Sequence, residues 1–196
     1  MPDLLFYQEP YTLVFDEDDN KFESFLSFHP EMMGCLNTTL LTFKDGQLWK
    51  HTTQTTYCNF YGIQYPCYIT AVFGGDLISK KTWISVMTNG NTVWGCPEIY
   101  TQMDYNDSFI SSGQIYQKQQ SELLESDFKG IESEFHASFL RDKNTSGSWT
   151  TAENLINGNQ LKGVYIVIKF QKTYPTYFVY LNSASVKFIN SPLNAR

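Results

Sequence analysis

Between residues 14 and 74 short aromatic runs alternate with acidic, proline and Asp-Gly interruptions, and that rhythm demands antiparallel β-structure. The sharpest element is Asp45-Gly46, set between the β-prone runs 37–43 and 47–51. A two-residue type I′ turn needs positive φ at both central positions, and Asp-Gly supplies it at low cost. Residues 11–15 predict a strand, ended by the acidic run 16–19, whose like charges and Asx side chains favour a solvated turn. Residues 22–28 predict the next strand, with Phe22 and Phe28 on the face of Ser24 and Leu26, and Phe25 opposite. His29-Pro30 closes it, because proline lacks the donor that a ladder needs.

The same pattern continues beyond. Residues 57–61 and 65–73 predict a strand pair around Gly62, and Gly74-Gly75-Asp76 turns the chain toward a strand at 81–87. Asn89-Gly90-Asn91 is a second hairpin signal, leading into 92–95 and a break at Cys96-Pro97. Residues 105–118 are polar and predict a loop. Residues 121–129 fit either a short helix or part of a strand pair, whereas Phe135, Ala137 and Phe139 alternate with polar neighbours and mark a strand at 132–140. A loop at 141–147 and one helical turn within 151–159 precede the most β-prone stretch, 164–170. Residues 177–181 and 185–189 predict a final hairpin pairing with it, and 190–196 an extended tail. The expected fold is all-β and mainly antiparallel, sandwich or barrel-like, with at most one or two short helices. Residues 1–196 are expected to form a single β-rich domain, with 105–118 as the place where a subdivision would fall.

Composition narrows the partners. Thirteen Tyr, 15 Phe and 4 Trp make 16% of the chain aromatic, against 17% charged, which suits strands and leaves rings to spare for interfaces. The net charge of −6 argues against specific nucleic-acid binding, which relies on clustered Lys and Arg. Lys80-Lys81 and the Arg141/Lys143 neighbourhood read as solvated turns. No apolar run approaches the ~20 residues that a membrane-spanning helix needs, and Met-Pro-Asp begins no secretory leader. No membrane partner is therefore expected. The thiols are expected to be reduced and mostly buried, so the sequons at Asn37, Asn106 and Asn144 carry little meaning.

No constellation of reactive side chains stands out. Cys35, Cys58, Cys67 and Cys96 form no Cys-x-x-Cys pair, and His29, His51 and His136 are not spaced for zinc. Asp16, Asp18 and Asn20 have the first spacings of an EF-hand loop, but Lys21 stands where glycine is needed and Ser27 where a bidentate Glu belongs. Glu98, Asp104, Asp107, Glu122, Glu125 and Asp127 could be paired as glycosidase carboxylates, as in any acidic β-protein. A nucleophile from Cys35 or Cys58 with His51 competes with plain packing roles. Gly-x-Ser-x-Gly, P-loop and dinucleotide signatures are absent. Trp49, Trp83, Trp94 and Trp149 could stack on sugar rings, though Trp in strands more often fills a core. The sequence thus predicts no catalytic, cofactor-binding or metal residues, no cofactor, and no enzyme.

One likeness adds to this. Phe15-Asp16-Glu17, the run 24–32, the run 43–51 and Asn59-Phe60-Tyr61-Gly62, followed by Trp94-Gly95-Cys96-Pro97 and the run 160–166, together resemble a recurrent module. It is the β-rich structural module of tailed-phage virion proteins, most like the tail, neck-ring and muzzle proteins of crAss-like Bacteroidales phages. The likeness spans about residues 11–170, and the module usually lies within a much longer protein. It implies a non-enzymatic virion component, assembled in the host bacterial cytoplasm into the tail or the rings between portal and tail. Its partners would be copies of itself in a ring and other tail or neck proteins. The alternative expectation is a carbohydrate-binding or receptor-binding tail module.

Overall fold

The computed structural model describes residues 12–51, 57–75, 79–101, 119–145, 150–175 and 177–190. The predicted loop at 105–118, Trp149, Asp104, Asp107 and the tail beyond 190 lie outside the described residues. The chain forms two compact units, Met1–Tyr65 with Tyr174–Tyr177, and Pro66–Thr173 with Phe178–Arg196.

Among its described residues, the first unit pairs strands that are neighbours in sequence. Strands β1 (Thr12–Asp16) and β2 (Lys21–Leu26) form a hairpin across the acidic turn. Asp16 Oδ1 accepts the backbone N–H groups of Asp18 and Asp19 at 2.9 and 3.2 Å, the Asx geometry expected of that run. A bulge shifts the register between Val14 and Phe15, so that Leu13 faces Phe25 and Phe15 faces Phe22. Phe22 and Phe25 therefore share a face, contrary to the simple alternation expected of 22–28, because the extra residue Glu23 resets the pleat.

Strands β3 (Met32–Leu36), β4 (Thr39–Lys44) and β5 (Gln47–Lys50) make an antiparallel sheet in that order. Asp45 and Gly46 have φ of 53° and 71°, so the predicted type I′ turn is present. In the β3–β4 turn Asn37 alone is left-handed, with φ of 55°. Strands β6 (Asn59–Phe60) and β7 (Ile63–Gln64) close a small hairpin over Tyr61-Gly62, both left-handed.

The second unit holds the main core. Strand β8 (Cys67–Phe73) does not pair back across Gly62, as its sequence neighbours suggested. It is the edge of a sheet ordered β11-β10-β15-β8, with β10 at Gly95–Thr101, β11 at Gln119–Leu123 and β15 at Ile166–Lys172. Its partner β15 lies about a hundred residues away, a distance that local turn signals do not encode. In β10 the register slips against both neighbours around Pro97, which turns the expected break into a bulge.

The second sheet is built on β9 (Lys81–Gly90). One edge of β9 pairs along its length with β16 (Leu181–Asn190). Strands β13 (Glu134–Ser138) and β14 (Lys162–Gly163) share its other edge, and β12 (Lys129–Ile131) pairs with β13. Asn89-Gly90 is therefore not a hairpin turn, since β9 runs straight through it. The Gly90 position is tight instead: a Cβ there would lie 2.4 Å from the Tyr180 carbonyl oxygen. Nor do 177–181 and 185–189 form a hairpin on β15; β16 is one long strand on β9.

Residues 121–129 resolve into the end of β11, a 3-10 turn at Glu125–Asp127 and the start of β12. Helix α1 (Thr151–Asn157) starts on a capping box in which Thr150 Oγ1 accepts the Glu153 N–H and Glu153 accepts the Thr150 N–H. Trp83, Val86, Cys96, Ile99, Ile168 and Phe170 lie in one buried cluster contributed by both sheets of this unit. The architecture is all-β, antiparallel and sandwich-like, and among the described residues no sheet closes into a barrel.

Candidate functional site

Four of the carboxylates singled out from the sequence are tied into ion pairs or turns. Glu98 pairs with Lys169 at 2.9 Å, Glu122 with Lys143 at 3.4 Å and Glu125 with Lys172 at 2.6 Å. Asp127 accepts the Leu124 N–H at 2.7 Å and so closes the 3-10 turn. These carboxylates tie strands and turns to one another. The Asp16–Asn20 run is an Asx turn, and among the described residues no group of three or more potential ligands could hold a metal ion.

The thiols depart from expectation. Cys35 is exposed, Cys58 and Cys67 are half-buried, and only Cys96 is fully buried. Burial pushes the Cys96 thiol up to about 12, because an apolar interior disfavours the thiolate. It behaves as a small core hydrophobe. Trp83 and Trp94 are buried in the core of the second unit and offer no platform for a sugar. Trp49 is half-buried, edge-on to Tyr61 with ring centroids 5.4 Å apart.

His51 belongs to an aromatic cluster rather than a catalytic pair. Its ring stacks on Phe28 at 5.0 Å, and Phe28 stacks in turn on Phe60 at 4.4 Å. The Tyr61 hydroxyl donates to Thr42 Oγ1 at 2.9 Å, and Thr42 Oγ1 lies 2.7 Å from His51 Nε2. Thr42, fully buried, is thus the hinge of a Tyr–Thr–His chain, which joins β4, the end of β5 and the β6–β7 turn. Desolvation holds the His51 pKa below the usual imidazole value.

Two clefts in the second unit measure about 200 and 210 Å³, one lined by Glu98, Tyr100, Gln120 and Lys143, the other by Trp83, Ser138, Phe139 and Arg141. Ligand pockets for small molecules run larger, at roughly 300–1,000 Å³.

What the sequence did not reveal is an exposed apolar surface. On β1–β2, Leu13, Phe15, Phe22 and Phe25 form one outward row, with Phe25 66% exposed and Phe15 edge-on to Phe22. On β3–β4–β5, Met32, Phe43 and Leu48 are cross-strand neighbours and all exposed, while Thr42 and Trp49 take the opposite face. Three rings at half to two-thirds exposure with a Leu give the first row alone on the order of 400 Å² of apolar surface. A patch of that size is in the range of the largest apolar patch on an ordinary monomer, and such patches are often functional. The aromatic excess was the available signal; the faces depended on a bulge and a register. The chain matches no protein-family model and no curated protein.

Proposed function

We propose that this protein is a structural subunit of a larger assembly: a component of the tail or portal–tail connecting rings of a tailed phage, built into the virion in the host cytoplasm. It works through contacts with its own copies and with neighbouring tail or neck proteins, and performs no catalysis. The observation that carries this reading is the pair of exposed apolar rows in the first unit, on β1–β2 and β3–β5. Apolar patches of this size are often functional, and their Phe and Met content is that of an interface core. The carboxylates tied into ion pairs and the small clefts favour the same reading over a small-molecule site. The likeness of runs 24–32 and 43–51 to the virion module supplies the setting.

Ring contacts are heterologous, so one face of the subunit must complement a different face of its neighbour. Light scattering on the purified full chain is expected to give a mass several times the monomer's, and mass spectrometry of purified virions to find the chain. A monodisperse monomer that is absent from virions overturns the proposal. Binding on a glycan array that is lost in Trp49→Ala would replace it with the receptor-binding reading.

A further inference from the structure

We propose that β3 is a self-association edge: it pairs antiparallel with β3 of a second copy, about a two-fold axis at Gly34, and joins two three-stranded sheets into one. The contact is isologous and rests on β3 alone, so it stands independently of ring closure.

β3 is the terminal strand of its sheet, and all five of its residues are exposed. Open edges are usually blunted by charge, proline, a bulge or shortness. Strand β2 carries Lys21 and Glu23, β5 carries Lys50, β12 has three residues, and β16 has Lys187 with two register shifts. Met32-Met33-Gly34-Cys35-Leu36 has none of these devices, and its ladder with β4 is regular. Of the other charge-free edges, β6 and β7 have two residues each, and β8 packs Cys67, Ala71 and Phe73 against the core, whereas β3 buries nothing.

The strand is also self-complementary. An antiparallel pairing centred on Gly34 sets Met32 against Leu36 and Met33 against Cys35 of the other copy. Glu31 then faces Asn37, so no like charges meet. The apolar row of Met32, Phe43 and Leu48 continues across the junction on one face. A one-residue slip would send that row to the opposite side of the joined sheet.

The φ of Gly34 is not in the left-handed region, and a Cβ there would meet nothing within 4 Å. Neither conformation nor packing within the chain asks for glycine, which weakens a strand interior and often marks the close approach of another backbone. On a two-fold axis the residue faces its own copy, with Cα atoms about 4.5–5.5 Å apart. Glycine places no side chain there.

The test is oxidative cross-linking of the full chain carrying Gly34→Cys in a Cys35→Ser background, compared with Thr38→Cys, an exposed turn position, in the same background. Gly34→Cys is expected to give covalent dimers at least about tenfold faster, because only it faces itself across the axis. Met33→Lys in the otherwise native chain restores the missing edge charge and is expected to raise the dissociation constant about tenfold by analytical ultracentrifugation. Equal cross-linking rates at 34 and 38, or an unchanged dissociation constant in Met33→Lys, overturn the two-fold contact. A higher assembly that persists in either case leaves the ring reading standing, and a chain that stops at the dimer removes the ring reading and keeps this contact.

Discussion

At the residue scale, Thr42 and His51 show how a polar pair is kept inside an aromatic cluster. Thr42 Oγ1 sits between the Tyr61 hydroxyl at 2.9 Å and His51 Nε2 at 2.7 Å, with no exposure of its own. Replacing it with Val keeps the shape and removes the hydroxyl from both neighbours. Thr42→Val is expected to destabilise the first unit by about 1–3 kcal/mol in urea unfolding followed by near-UV circular dichroism. The His51 pKa is lowered by desolvation, so the unfolded chain takes up a proton at a higher pH than the folded one. The stability due to neutral His51 is then fully present above the ordinary imidazole value of 6.5 and is lost as pH falls from there toward the lowered value. His51→Gln is expected to flatten that part of the stability–pH curve; an unchanged slope would show that other groups set it. The sequence offered His51 as a partner for Cys35 or Cys58 and did not show its packing among aromatic rings, because that environment is assembled from β4, β5 and the β6–β7 turn.

At the element scale, Asp45-Gly46 and Asn89-Gly90 look alike in sequence and differ in structure. The first is a type I′ turn with both φ values positive; the second lies within an extended strand. Gly46 has open space around its missing Cβ, whereas at Gly90 a Cβ would come within 2.4 Å of the Tyr180 carbonyl oxygen. Gly46→Ala is expected to cost about 1 kcal/mol through its positive φ alone. Gly90→Ala must push back the chain entering β16, at about 1–3 kcal/mol with a bulge's worth of disorder there. Thermal melts of the two variants, with hydrogen exchange at 181–190, check the ranking, and equal losses with no change in β16 would refute it. Short hairpins were legible because their turn residues carry their own φ requirement. The partners of β8, β9 and β16 were not, because which distant strand completes a sheet is decided by the core that Trp83, Ile168 and Phe170 build together. The exposed rows were half-legible: the rings were visible, but the bulge opposite Val14 and Phe15 that aligns Phe22 with Phe25 was not.

At the scale of the whole molecule, the two units differ in how far apart their partners lie along the chain. Every strand pair of the first unit joins sequence neighbours, β1 with β2, β3 with β4 with β5, and β6 with β7. In the second, β8 waits for β15 and β9 for β16, where Lys81 meets Asn190. Loop-closure entropy makes distant pairings slow to form. Pulse-labelled hydrogen exchange during refolding is expected to protect 32–50 before 81–90; simultaneous protection would show that the units fold as one. The pairing of β9 with β16 has a further consequence for synthesis. A ribosome making this chain completes β9 long before residues 181–190 exist, so one edge of this ten-residue strand stays uncapped while the segment 91–180 is made. The interval in which the protein is most exposed to mispairing with its own nascent copies is therefore set by the distance between these two strands.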